Sequence, residues 1–80
     1  MQVNTCIREM VDASGSSLVK TSELLGKSRE YARMVSMPTR SPALATVADI
    51  ADVLGYDLAV VDRETGGVLG TIEAPRRAGE

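Results

Sequence analysis

Apolar residues recur at helical spacing at the start of the chain and predict two short helices in succession. The first, over residues 4–13, has an apolar face made of Val3, Ile7, Met10 and Val11. Cys6 lies beside this face, and we expect it to be buried as a small hydrophobic residue. After Gly15, either Ser16 or Ser17 can cap a second helix, Leu18–Leu25.

The same signals predict a third helix directly after the second. Gly26 ends the second helix, and Ser28 is placed to cap the third. The third helix is expected to run from Arg29 to about Ser36, because Pro38 prevents it from continuing.

A fourth helix follows a serine–proline pair. Ser41 is predicted as its N-cap and Pro42 as its first residue, where proline is well tolerated. Asp49 and Asp52 are expected on its outer side as solvated charges, and Gly55 ends it. Its apolar face is formed by Leu44, Val47, Ile50, Ala51 and Leu54.

Beyond the fourth helix the apolar residues become β-branched and occur in two short runs. Leu58–Asp62 and Val68–Ile72 are separated by a stretch with two glycines, which is typical of a β-hairpin. The tail, residues 74–80, is expected to be frayed. The pattern as a whole predicts one mainly α, α+β domain with four helices and a C-terminal hairpin.

The distribution of charge changes how the net charge of −2 is interpreted. A net negative charge argues at first against a nucleic-acid partner. However, residues 16–42 contain five basic and two acidic residues, a balance of +3, whereas residues 43–80 carry −4. A locally basic surface on an acidic body can bind phosphate and be oriented by repulsion elsewhere.

The basic segment also contains the elements of a tight helical pair. Ser22 is small, as the crossing of two helices requires, and Gly26 tolerates a left-handed backbone in a turn of about three residues. The inner face of the third helix offers Ala32 and Val35, with Leu25 beneath them. This arrangement is typical of a helix-turn-helix, which presents its second helix to the major groove of DNA.

Over residues 4–56 the chain resembles the phage-repressor and Cro-like helix-turn-helix family. Residues 40–55 carry the second part of the resemblance, a basic residue and Ser-Pro followed by a leucine, threonine, alanine and Leu-Gly pattern. The chain departs from the family at Lys27, where a buried valine is usual, and at Thr21 and Ser22, where leucine and alanine are commoner. The resemblance implies a repressor-like core over residues 4–56, followed by the hairpin over 57–73, within a single domain of residues 1–80.

The resemblance further implies which side chains meet DNA. Arg29 would bind guanine O6 and N7, Glu30 would accept from cytosine N4, and Met34 would contact a thymine methyl group. The implied base contacts are Arg29, Glu30, Arg33 and Met34. The implied phosphate contacts, which set register without reading sequence, are Ser17, Lys20, Lys27, Ser28, Thr39 and Arg40.

Ordinary packing offers other interpretations of the same residues. Arg29, Glu30 and Arg33 can form a solvated surface with a local ion pair. Met34 can belong partly to the core. Tyr31 is expected to be half-buried rather than stacked on a base, and Lys27 is expected to extend outward.

Both faces of the predicted hairpin carry apolar residues, which predicts a homodimer. A hairpin that covers a helical bundle needs only one apolar face, although both faces can also be covered within one chain. A twofold dimer would place two recognition helices about one turn of DNA apart, on a palindromic site. The expected dimer interface consists of Leu58, Val60, Val61, Val68, Leu69 and Ile72.

The expected function is that of a sequence-specific transcriptional regulator of double-stranded DNA, a bacterial or phage-like repressor without cofactor or metal. The alternative is a protein-interaction module, antitoxin-like or an adaptor, whose partner binds the hairpin and the acidic half. An enzyme is not expected, because the chain has no histidine, no glycine-rich phosphate loop and no nucleophile beside a base. A cytoplasmic location is expected from the lone cysteine and from the absence of a signal-peptide pattern or an apolar run of ~18–20 residues.

Overall fold

Five helices and one two-stranded antiparallel hairpin make up residues 1–78, the part of the chain that the computed structural model describes. The predicted α+β class is confirmed. None of the helices within these residues is long and apolar enough to cross a membrane. In chain order the elements are α1 (Val3–Ala13), α2 (Leu18–Leu24), α3 (Tyr31–Val35), α4 (Leu44–Leu54), β1 (Leu58–Val61), β2 (Val68–Ile72) and α5 (Pro75–Ala78).

The core lies mainly between α1 and α4, where the apolar faces predicted for these helices meet. Cys6 is half-buried at its edge rather than fully buried as expected. Leu44 was predicted on the inner face of α4, but it lies in the first turn and is 59% exposed. The buried cluster is formed by Ile7, Met10, Val47, Ile50 and Ala51, and the partly buried residues packed against it are Cys6, Leu25, Val35, Leu54 and Leu58.

The predicted capping serines have different outcomes. Ser17 caps α2, since its Oγ accepts a hydrogen bond from the Lys20 main-chain N at 3.0 Å. The predictions for Ser41 and Pro42 are wrong, because both precede the helix. Ala43 keeps an extended backbone with ψ of 151°, so α4 begins only at Leu44.

The third helix begins later than predicted. Arg29 and Glu30 lie in a turn that precedes α3, in which the Tyr31 main-chain N donates to the Ser28 carbonyl at 3.0 Å. Glu30 is the N-cap residue and makes no side-chain capping bond, so the predicted capping role of Ser28 is also wrong. The helical segment Tyr31–Val35 is therefore only five residues long.

The tail packs on α4, which contradicts the prediction that residues 74–80 are frayed. Ala74 is buried, and α5 follows it directly. The Arg76 main-chain N donates to Asp49 Oδ1 at 3.1 Å. The contact joins residues 27 positions apart in the chain. Residues 79 and 80 lie outside the described residues.

Asp52 anchors the same segment through two ion pairs. Its carboxylate lies 3.2 Å from Arg76 Nη1 and 2.6 Å from Arg77 Nε, and its side chain is only 16% exposed. The two aspartates of α4 were expected to be solvated charges. That expectation is wrong, because the arginines of the tail lie against them.

The hairpin pairs β1 with β2 and contains a β-bulge. Leu58 pairs with Ile72 and Val60 with Gly70, but Val61 pairs with Val68, so Leu69 is an extra residue on β2. The bulge brings Val68 opposite Val61, and cross-strand partners share a face of the sheet. The first strand ends one residue before the predicted Asp62.

Candidate nucleic-acid interface

Gly26 ends α2 and redirects the chain toward α3. Its φ of +69° lies in the left-handed region, which side chains with a Cβ disfavour. A Cβ at this position would meet no atom within 4 Å, so the requirement for glycine is one of backbone conformation and not of space. The Lys27 main-chain N donates to the Ser22 carbonyl at 3.0 Å. The connection covers residues 25–30, longer than the turn of about three residues predicted.

Ser22 joins α2 to α3 by a buried hydrogen bond. Its Oγ accepts from the Ala32 main-chain N at 2.9 Å and donates to the Leu18 carbonyl at 2.9 Å. Ser22 and Ala32 are both fully buried. The first N–H groups of a helix have no partner within the helix, and this side chain supplies one at the start of α3. The sequence predicted the small size of Ser22 but not this bond.

The end of α3 is held from α1. The Ser36 carbonyl accepts a hydrogen bond from Arg8 Nε at 3.2 Å, between residues 28 positions apart. Ser36 is fully buried, and its Oγ donates to the Arg33 carbonyl at 3.2 Å. Neither residue was singled out from the sequence. The available signal was weak: Arg8 is a cation next to the apolar face of α1, and Ser36 is a small polar residue at a helix end.

The four residues predicted to contact bases are all exposed, but they differ in their surroundings. Met34 is 42% exposed, which places it at the surface and not in the core. Arg33 Nε lies 2.6 Å from Glu30 Oε2, and both side chains are more than half exposed. This is the local ion pair that the ordinary interpretation anticipates. Arg29, in the turn before α3, makes no ion pair within the described residues.

The six residues predicted to contact phosphates are exposed as well. Lys20 Nζ lies 4.0 Å from Glu23 Oε2. Lys27 extends outward as expected, with its Nζ 5.7 Å from the ring centroid of Tyr31, and Tyr31 is half-buried as expected. Thr39 and Arg40 lie between α3 and α4.

The basic residues of the segment 16–42 are only lightly neutralised by ion pairs. The two ion pairs within this segment are solvent-exposed, and such pairs contribute about 0–1 kcal/mol each. A phosphate group can therefore displace Glu30 or Glu23 at little cost. Within residues 1–78 no three side chains of metal-ligating type lie together.

The surface of the hairpin is apolar, in contrast to the charged surface around α3. Leu58 and Ile72, next to the helices, are half-buried. The other four residues of the expected dimer interface are exposed, with Val68 at 61% and Leu69 at 85%. Within residues 1–78 these four side chains are therefore left uncovered, which disfavours the alternative in which one chain covers both faces of the hairpin. A shallow apolar groove near its base is lined by Met1, Val3, Cys6, Pro42, Leu44, Val47 and Leu58.

Comparison of the chain with protein-family models, with curated proteins and with solved structures found no match.

Proposed function

We propose that this protein is a sequence-specific transcriptional regulator of double-stranded DNA, with a repressor-like helix-turn-helix core. The observation that carries the proposal is the α2–α3 unit. A buried serine and a left-handed glycine fix a short helix whose outer side is exposed and flanked by basic residues. A side chain at the start of a recognition helix reaches base edges in the major groove, and Arg29 lies in the turn two residues before the first residue of α3, with its side chain exposed.

The remaining parts of the proposal follow from the distribution of charge and apolar surface. Lys20, Lys27 and Arg40 bind phosphates and set the register. The acidic residues after α4 keep the rest of the chain away from the DNA. A homodimer formed through the hairpin presents two copies of α3 to a palindromic site.

The test is selection of bound duplexes from a random pool, followed by affinity measurements on the selected duplex at two salt concentrations. Arg29→Ala is expected to weaken binding by ~1–3 kcal/mol and to relax the preference at one base position. Lys27→Ala is expected to weaken binding to all duplexes alike and to reduce the slope of log affinity against log salt by about one.

Arg63→Ala is the matched control, because Arg63 is an exposed arginine in the hairpin turn, outside the proposed surface. It is expected to leave affinity and site preference unchanged. The proposal fails if the wild-type chain binds no duplex at low salt. It also fails if Arg29→Ala and Arg33→Ala bind as tightly and as selectively as Arg63→Ala.

A second candidate function is a protein-interaction module, and the exposed apolar hairpin favours it. Apolar side chains as exposed as Val68 and Leu69 are typical of surfaces that bind another protein. In that case Leu69→Ser abolishes capture of the partner protein, whereas Arg29→Ala does not affect it. The reverse result, with a dimer and a DNA site, favours the regulator.

A further inference from the structure

The third helix is too short to hold its own orientation. It has five residues, and an isolated helix shorter than about 12–15 residues is marginal in water. Its direction relative to the rest of the chain must therefore come from neighbouring elements, through the packing of Ala32 and Val35 and through hydrogen bonds at its two ends. At its start that bond is the one between Ser22 Oγ and the Ala32 main-chain N.

At its end the corresponding bond comes from Arg8. The carbonyl groups of the last turn of a helix have no partners within the helix, and a cation is favourable there because the helix dipole is negative at that end. Arg8 provides both a donor and a positive charge, with its Nε 3.2 Å from the Ser36 carbonyl. The guanidinium thereby caps the end of α3 from α1.

The bond connects Arg8 to the candidate base contacts by a short route. The Ser36 main-chain N donates to the Ala32 carbonyl at 3.2 Å, and Ser36 Oγ donates to the Arg33 carbonyl. A shift of the Arg8 guanidinium therefore passes through Ser36 to the backbone that carries Arg33 and Met34.

We propose that Arg8 is a positioning residue for DNA recognition, which holds α3 in the orientation that base contacts require without itself touching DNA. The inference rests on the proposed function and adds a residue from outside the α2–α3 unit to it. Specific binding needs the exact placement of α3, whereas non-specific binding to phosphates tolerates a shift. Loss of Arg8 therefore reduces specificity more than general affinity.

The test compares Arg8→Met, Arg8→Lys and the control Arg63→Met on a selected duplex and on a random duplex, at two salt concentrations. Arg8→Met keeps the aliphatic stem but removes the donor and the charge. It is expected to raise Kd for the selected duplex about tenfold, which is the size of one charge-assisted hydrogen bond. Kd for the random duplex and the salt slope are expected to match those of Arg63→Met. Arg8→Lys is expected to recover most of the loss.

Hydrogen exchange provides a second readout that needs no DNA and also detects a variant that does not fold. In Arg8→Met the amides of Met34 and Ser36 are expected to exchange at least threefold faster, because both lie in or directly after α3. The amides of α4 are expected to keep their wild-type rates.

Three results would overturn the inference. One is an equal loss of affinity on both duplexes with a salt slope reduced by about one, which would make Arg8 a phosphate contact. Another is wild-type affinity in Arg8→Met while Arg29→Ala is impaired, a result that leaves the proposed function intact. The third is unchanged exchange at Met34 and Ser36. If the wild-type chain binds no duplex, the proposed function fails and this inference fails with it.

Discussion

The α2–α3 unit and the hairpin depart from the usual distribution of polar and apolar residues in opposite directions. In the α2–α3 unit, Thr21, Ser22 and Ser36 are polar and fully buried. In the hairpin, Val68 and Leu69 are apolar and exposed. Buried polar and exposed apolar residues are the informative cases, because the converse is expected in any folded protein.

The two regions differ in whether the chain itself supplies hydrogen-bond partners for the buried polar groups and cover for the apolar side chains. Every buried side-chain oxygen and nitrogen of the described residues has a hydrogen-bond partner. The polar groups of the α2–α3 unit are therefore satisfied internally, and they fix one element against another. Val68 and Leu69 of the hairpin have no such cover within residues 1–78, and this exposure is the basis of the proposed dimer.

The largest expected effect tests the hairpin side of this comparison. The double variant Val68→Ser with Leu69→Ser removes two apolar side chains that a partner subunit would bury. Because a twofold dimer contains both residues twice, four side chains are lost at about 1.5 kcal/mol each, so about 6 kcal/mol is removed and the dimer dissociation constant rises by roughly four orders of magnitude. Sedimentation equilibrium over a range of concentrations measures the change. The free energy of unfolding of the monomer is expected to change by less than about 0.5 kcal/mol, because both residues are exposed in it.

Arg63→Ser is the control for the hairpin variant, since it places a serine in the turn of the same hairpin without removing apolar surface. It is expected to dimerise as the wild-type chain does. A wild-type chain that is monomeric at tens of micromolar would contradict the dimer. Equal dimerisation of the double variant and the wild type would show that the subunits meet elsewhere.

The second effect tests the other side of the comparison. Ser22→Ala leaves the Ala32 N–H buried without an acceptor, which is expected to cost about 1–3 kcal/mol. Thr21→Val is the matched control, because Thr21 is equally buried but its Oγ1 only donates, to the Ser17 carbonyl. That carbonyl also accepts from the Thr21 main-chain N at 2.9 Å, so it keeps a partner.

Urea unfolding of the two variants separates these roles. Ser22→Ala is expected to be the less stable variant, with Thr21→Val losing less than about 1 kcal/mol at an unchanged m value. If Thr21→Val is as destabilised as Ser22→Ala, the hydrogen bond between Ser22 and Ala32 contributes no more to stability than ordinary packing does, and packing accounts for both losses.

The elements that could be predicted from the sequence are those whose signals are local. Helical periodicity, Ser17 as a cap and glycine at the turn each depend on a few neighbouring residues, so α1, α2, α4 and the hairpin follow from them. The bond from Arg8 to Ser36 joins residues 28 positions apart, and the ion pair of Arg76 with Asp52 joins residues 24 apart. No local pattern marks such pairs, since which helix ends meet is decided by the packing of the whole core.

The position of the bulge illustrates the same limit within the hairpin. In a regular strand, where side chains alternate between the two faces, Val68 would share a face with Ile72, but the extra residue Leu69 places Val68 opposite Val61. A bulge of one residue shifts all side chains beyond it to the other face. The exposure of the candidate base contacts was predicted correctly, because it follows from helical spacing. Their place in the helix was predicted less well, since Arg29 and Glu30 lie before α3 and not in it.

The smallest expected effect concerns the segment that joins the hairpin back to the helices. Asp52→Asn removes the carboxylate that pairs with Arg76 and Arg77. The two arginine side chains are 42% and 67% exposed, so solvent screens the pairs, and the expected loss in the free energy of unfolding is about 0.5–1 kcal/mol.

Asp57→Asn is the control, because Asp57 is exposed and forms no ion pair within residues 1–78. Thermal unfolding of both variants and the wild type at low salt and at about 1 M salt measures the difference, which is expected to vanish at high salt as the Debye length falls to about 3 Å. No loss in Asp52→Asn at either salt concentration would mean that α5 is held by the burial of Ala74 and not by charge, and the tail would then belong to the core on the same terms as the helices.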